Sequence, residues 1–255
     1  ATAVGTPMSL TYDLSKISPS LTVGLPFYGA INASIDWGDS STPTTATSPA
    51  VYSHTYATSG IYTILISGTM QHFGYDNVTN HPSCSVAGAV MCPGIAALTT
   101  VNSWGSIPLT RLDYAFANAS NLTDVPATFP STVTKTIGMF YKATTFNDAD
   151  VSGWTMTNVN DMTAMFAEAS IFNQPLNSWD VSNVTLMEQM FRKAVAFNQP
   201  LNNWNTAKLT NTYAMFNEAT IFNQDLSDWN TANVTIMAIM FNGHLQQKSK
   251  PICRH

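Results

Sequence analysis

The carboxylates of "IDWGDSS", Asp36 and Asp39, are the first residues in the chain whose type and spacing could do chemistry. Two acids three residues apart around a turn can share a calcium ion. Calcium takes about 6–8 oxygen ligands, so two acids make no site, and no metal is expected. His54 could serve as a general base. That role needs a nucleophile and an orienting partner, and no motif around it supplies them. The five histidines are scattered and carboxylate pairs do not recur. Met162, Met165, Met187 and Met190 carry the soft sulfur that suits copper. They stand at helical spacing beside a phenylalanine, which is where core methionines stand. No catalytic residue and no cofactor is expected.

The cysteines carry a different chemistry. Cys84 and Cys92 lie in one Pro/Gly-marked loop, "HPSCSVAGAVMCPG". A disulfide there closes a short loop and contributes about 2–3 kcal/mol; the alternative is two thiols. Cys253 is left over, either as a thiol or for a disulfide with another molecule. Six N-x-S/T sequons, at Asn32, Asn77, Asn118, Asn121, Asn183 and Asn233, offer sites for N-linked glycans.

Composition bounds the setting. Apolar residues make up 45% of the 255 residues, enough for a large core, while charged residues make up 10%. The net charge is −5, with Lys and Arg spread thinly, so no basic patch suits a nucleic acid. No apolar run reaches the ~18 residues of a membrane span. The chain opens at Ala1 rather than Met. With low charge, much Thr, Ser and Asn, and the sequons, this predicts a mature extracellular or cell-surface chain after signal-peptide removal.

Positioning falls to a repeat. "FNQPLN" occurs at Phe172 and again at Phe197, and Trp154, Trp179, Trp204 and Trp229 stand 25 residues apart. Phe140, Phe166, Phe191, Phe216 and Phe241 follow the same period, and a weaker form reaches back to Trp104 and Phe116. A fixed period of this length marks coils that bury their apolar faces against one another. Met162, Met165, Phe166 and Ala169 fall at i, i+3, i+4, i+7, the face of a short helix, and Met187, Met190, Phe191 and Ala194 repeat it. A brief strand is predicted over Leu176–Trp179. Asn147, Asn173, Asn198 and Asn223 follow each repeat phenylalanine and predict an inward asparagine ladder that satisfies the turn backbone.

"FNQPLNSWDVSNVTLMEQMF" resembles the bacterial-surface-protein repeat of the BspA-like leucine-rich-repeat family, and "LTRLDYAFANASNLTDVP" resembles that family's plainer repeats. The resemblance implies a right-handed α/β solenoid of about five to six coils, an exported protein, adhesion or surface display, and no catalytic residues.

Residues 1–70 alternate apolar and polar residues in "SLTYDL", "INASIDW" and "GIYTILISG", as strands do. Trp37, Gly38, Asp39, His54, Tyr56, Gly60, Tyr62 and Ile64 are similar to the pattern of the polycystic-kidney-disease (PKD) type of immunoglobulin-like domain. That implies an all-β sandwich in which Asp39 caps a turn above His54 and Tyr56. The expected organisation is a sandwich over 1–70, a connector over 71–98, the solenoid over 99–244 and a tail over 245–255. The expected function is that of a non-enzymatic structural subunit that self-assembles head to tail into a filament, sheath or surface layer. In that reading "TAVGTPMSLTY" lends a strand to the next subunit. The alternative is an adhesin that binds a host protein or glycan through the solenoid face.

Overall fold

The computed structural model describes residues 5–75 and 92–243, together with the backbone of two short strands at 85–86 and 89–90. The alternating segments form strands: β1 (Met8–Asp13), β2 (Thr22–Asp36), β3 (Thr44–Ala46), β4 (Ala50–Thr55) and β5 (Ile61–Phe73). β6 (Ser85–Val86) and β7 (Ala89–Val90) pair only with each other, and β8 (Leu98–Ser103) follows.

The expected two-sheet sandwich is not formed. β1 to β5 and β8 make one open antiparallel sheet in the order β3-β2-β5-β1-β8, with β4 also on β2. The reason lies in β2. It is 15 residues long, so its first half pairs with β4 while its second half pairs with β5 and β3. One long strand thus serves where two sheets would need two. β1 does not reach out to another subunit either. It lies inside its own sheet between β5 and β8, with Met8, Leu10 and Tyr12 buried.

The expected α/β solenoid is also overturned, because the repeats contain no α-helix. Among the described residues the helices are three 3-10 segments of four, three and five residues. Met162–Ala169 forms consecutive turns instead, with Ala164 and Glu168 at positive φ of 54° and 62°. The apolar spacing still marks the inward face, since Met162, Met165, Phe166 and Ala169 are all fully buried. A helix would spend every N–H four residues back. Here alternate N–H groups leave the coil: those of Met162, Ala164, Phe166 and Glu168 donate to the carbonyls of Leu186, Glu188, Met190 and Arg192 in the next coil. Those of Met165, Ala167 and Ala169 bond three residues back. A helix of two turns is marginal alone, whereas this arrangement ties each coil to its neighbour. The strand expected over Leu176–Trp179 is likewise a turn, closed by Trp179 N–H on the Leu176 carbonyl at 3.0 Å. The coils meet instead at single parallel bridges, running Arg111, Lys135, Asp161, Leu186, Asn211 and Ile236.

The core is one continuous stack. Phe116, Phe140, Phe166, Phe191, Phe216 and Phe241 stand ring over ring, with centroids 5.5–5.8 Å apart. Phe146, Phe172, Phe197 and Phe222 form a second column beside it. Trp154, Trp179, Trp204 and Trp229 are buried, and each indole N–H donates to a carbonyl of the preceding coil at 2.8–2.9 Å. The indole therefore fills space and ties its coil to the one before, in three cases as the second donor to a carbonyl that already accepts a turn bond: Val151, Leu176 and Leu201.

Candidate functional site

In the sheet, the Asp39 and His54 side chains meet at 2.7 Å. The His54 ring stacks on Trp37 with centroids 5.1 Å apart and meets Tyr56 edge-on. The Tyr56 hydroxyl donates to the Trp37 carbonyl at 2.8 Å, and the Trp37 indole donates to Thr44. Tyr62 packs on Tyr56 beside Gly60, whose neighbour Ile61 is exposed. Gly38 is needed where it stands. Its φ is +77°, and a Cβ would run into the Thr63 carbonyl oxygen. Asp39 is held down to about 2 by Ser41 first and His54 second. The Ser41 backbone N–H donates to it at 3.0 Å, while the Ser41 hydroxyl lies near the carboxylate outside hydrogen-bond geometry. Burial, the largest influence, pushes the Tyr56 hydroxyl up.

This cluster braces the turn between β2 and β3. No hydroxyl or thiol among the described residues is hydrogen-bonded to His54, so the geometry supplies no nucleophile. Asp36 turns its carboxylate onto the Gly38 N–H at 2.9 Å rather than toward Asp39. No group of three or more His, Cys, Asp or Glu suited to a metal occurs among the described residues.

Along the stack, each side-chain oxygen of Asn147, Asn173 and Asn198 accepts the backbone N–H of the asparagine one coil on, at 2.8–3.0 Å. This ladder lies at the surface, with Asn147 and Asn223 exposed, rather than inward. Gln174, Gln199 and Gln224 add a second rail by donating to the preceding asparagine's carbonyl. A further ladder escaped sequence reasoning: the amides of Asn158, Asn183 and Asn233 each donate to a carbonyl 26 or 27 residues back. Its signal was the shared position of these asparagines in each repeat, which is also where two sequons fall.

Of the sequons, Asn32 and Asn233 are exposed. Asn118, Asn121 and Asn183 are half-buried, and the Asn121 amide is spent on the Ala96 carbonyl at 2.7 Å. Asn77, Cys84 and Cys253 lie outside the described residues. Cys92 is buried and accepts a hydrogen bond from the Tyr75 hydroxyl.

Charge is placed on the flanks of the stack. Glu168 is gripped by Arg192 at 2.5 Å and lies 3.7 Å from Lys142, and Lys193 lies 3.7 Å from Glu218. Asp113 is almost wholly buried; burial raises it while Arg111, bonded to it through Nε at 2.7 Å, pulls it down.

The feature with the most to offer a partner is the polarity of the coils. In every coil a run of alternate N–H groups points toward the C-terminal end, as Thr212, Ala214, Phe216 and Glu218 do toward Ile236, Ala238, Met240 and Asn242, while one N–H per coil, such as that of Thr210 to the Thr185 carbonyl, points back. Alternating right- and left-handed residues create this alignment. Left-handed positions recur in two columns, Tyr114, Gly138, Ala164, Gln189, Ala214, Ile239 and Asn118, Lys142, Glu168, Lys193, Glu218, Gly243. Aligned peptide dipoles add, and their N–H end carries partial positive charge. At the last coil, the N–H groups of Met237, Ile239 and Gly243 reach no carbonyl among the described residues. Ile236 and Ile239 beside them are each 46% exposed.

Residues 95–149 and 134–252 match the family described as "Mycoplasma protein of unknown function, DUF285". The chain belongs to this family. The match to DUF285 begins at the last turn before β8 and takes in every coil, so the repeat is the family's defining part and the sheet stands before it. No curated protein and no solved structure matches the chain. No helix among the described residues is long and apolar enough to cross a membrane.

Proposed function

We propose that this chain is a non-enzymatic structural protein of the cell surface or extracellular space that assembles with copies of itself. The observation that carries the reading is the unequal pair of ends. At one end the sheet covers the stack: Gln71 of β5 accepts from Thr110 N–H, and Tyr75 N–H donates to the Asp113 carbonyl. At the other end, among the described residues, the Met237 and Ile239 N–H groups meet no carbonyl, and Ile236 and Ile239 are exposed. Repeat stacks need both ends covered to stay apart, and an uncovered end invites association. The low charge, 10% of residues, removes the repulsion that would oppose it.

A second reading, an adhesin binding through the flank, draws on Ile171, Val195 and Ile221, which are exposed on successive coils. Sedimentation over a hundredfold concentration range, followed by electron microscopy, decides between them. Growing species and filaments or sheets are expected. A monomer throughout sinks the assembly reading and leaves the adhesin.

A further inference from the structure

We propose that two copies of this chain join edge to edge through β4, antiparallel and about a two-fold axis at Ser53. This rests on the assembly reading above and names one of its joints. Three observations lead to it.

The first is which main-chain groups of β4 face away from the sheet. In an antiparallel strand the N–H and C=O of one residue point to one side, and those of the next to the other. Tyr56 N–H donates to the Leu21 carbonyl at 3.0 Å, so Leu21, Val23, Leu25 and Phe27 turn toward β4. Gly24 N–H and the Pro26 carbonyl turn the other way, onto the Pro93 carbonyl at 2.8 Å and the Gly74 N–H at 3.0 Å. The register sets Val23 opposite His54, Leu25 opposite Tyr52 and Phe27 opposite Ala50. Ala50, Tyr52 and His54 therefore spend their peptide groups on β2, while Val51, Ser53 and Thr55 turn theirs outward. Pro26, which has no N–H to give, stands opposite Val51 as this pattern requires. Among the described residues β4 pairs with β2 alone.

The second is that this outward row fits its own copy. Each of Val51, Ser53 and Thr55 offers one donor and one acceptor. A second β4 laid antiparallel sets Ser53 opposite Ser53 and Val51 opposite Thr55, so that every pair exchanges both bonds. The side chains agree with this register. Val51 and Thr55 are β-branched and suit one another across strands, and the small Ser53 meets itself at the axis. Tyr52 and His54, on the other face, keep partners inside their own copy: the Ser48 carbonyl at 2.7 Å and Asp39 at 2.7 Å.

The third is the lack of a guard. Edge strands are commonly protected by charge, proline or a bulge. No Asp, Glu, Lys or Arg occurs from Ser40 through Tyr75. Pro43 and Pro49 precede β3 and β4 rather than interrupt them, and the β2–β4 register runs without a shift. The sheet's far edge, β8, is already engaged: Val101 N–H donates to the Asp124 carbonyl, and a parallel bridge joins Thr100 to Asp124. A two-fold contact closes after two copies, so this joint makes a dimer, and larger species need a second contact elsewhere on the subunit.

Full-length variants at Ser53 test the joint. Ser53 is exposed. Ser53→Pro leaves the β2 ladder whole, because the N–H it removes points outward. Ser53→Lys sets two like charges face to face across the axis and keeps the fold should proline disturb it. By sedimentation, each variant should weaken dimer formation at least tenfold while melting as the dilute parent does. Cross-linking reads the register. Opposed residues in such a pair lie about 5.5 Å apart at Cα, within reach of a disulfide. Under mild oxidation Ser53→Cys should give a dimer linked from 53 to 53, identified by peptide mass against the native cysteines. Thr55→Cys should link to Val51→Cys in a mixture and not to itself. A Ser53→Lys protein that dimerises like the parent, no link at 53, or Thr55→Cys linked to itself overturns the joint. If the unaltered protein is a monomer throughout, the assembly reading falls and the joint with it; if it assembles and Ser53→Lys assembles equally, the joint alone falls.

Discussion

Phe73, the last residue of β5, stands with its ring 6.0 Å from that of Phe116 in the first coil, and 6.0 Å from Phe27 on β2. One aromatic column therefore runs from the sheet through every coil. The bridge between His72 and Arg111 opens the same series of parallel bridges that joins the coils. The end of β5 takes the place of a coil, and the sheet is the first layer of the stack rather than a neighbour on a tether.

Phe73→Ala should therefore harm both parts together. Loss of a buried phenylalanine costs about 3–5 kcal/mol. A single calorimetric transition moved to lower temperature is expected. If the transition splits in two, with the coils melting at their former temperature, the layers are independent.

Trp204 tests the coil interior. Trp204→Ala removes a ring stacked on Trp229 at 6.0 Å and a donor to the Leu176 carbonyl at 2.8 Å. A loss of about 3–5 kcal/mol is expected. Trp204→Phe keeps an aromatic ring and removes one of the two donors to the Leu176 carbonyl, which retains the Trp179 N–H, for about 0.5–1.5 kcal/mol from the lost hydrogen bond. Denaturant melts of both variants separate packing from hydrogen bonding. Equal losses would show that the indole N–H contributes nothing.

The left-handed columns make opposite demands at equivalent positions. Gly138 has φ of +56°, and a Cβ there would strike the Tyr114 ring, so Gly138→Ala should destabilise by more than about 1 kcal/mol. Ala164 occupies the same position one coil later, at +54°. An L-residue held there is strained by about 1–2 kcal/mol, offset in part by glycine's greater freedom when unfolded. Ala164→Gly should raise stability by up to about 1 kcal/mol. A fall in its melting temperature would refute the left-handed assignment.

Asp39 predicts an acid limb. Its folded value, about 2, lies below the ~3.9 of an unfolded aspartate, so the folded state favours the ionised form. The stability it contributes is complete above about pH 5 and is lost as pH falls through about 2. Asp39→Asn should be less stable at pH 7 and should lose less than the parent on acidification. Asp113, raised by burial, acts with the opposite sign: its ionisation works against the fold as pH rises. An acid melt of the Asp39 variant that parallels the parent's would show the His54 and Ser41 contacts to be incidental.

The sequence showed the coil through its large side chains. Trp154 to Trp229 and Phe116 to Phe241 had to recur because each is packed on its copy in the next layer. The backbone between them was hidden. Met162, Met165, Phe166 and Ala169 keep helical spacing, but turns with left-handed residues at 164 and 168 bury the same four. Left-handed positions usually announce themselves as glycine, and here alanine, lysine, glutamate and glutamine hold them because the bonds to the next coil outweigh the local strain. In the sheet, alternation revealed β1, β2 and β5 as strands. It carried no information about partners, so a sandwich and a single sheet looked alike. Asp39 and His54 were recognised through the turn they brace. The N–H rows between coils had no signature in the letters, since they are made wholly of main chain.

The N–H row also gives the molecule a direction under load. Each coil hangs from the one before it by four outgoing backbone bonds and is held by the one after it in the same way. Tension applied at the last coil would peel layers off singly, each releasing about 80–90 Å of extended chain, and would reach the sheet last. Tension applied at β1, which is zipped between β5 and β8 by long antiparallel registers, would have to shear many bonds together. A chain of such subunits would yield in small, recoverable steps at one end of each link while the other end held, which is how a tether absorbs a pull without parting.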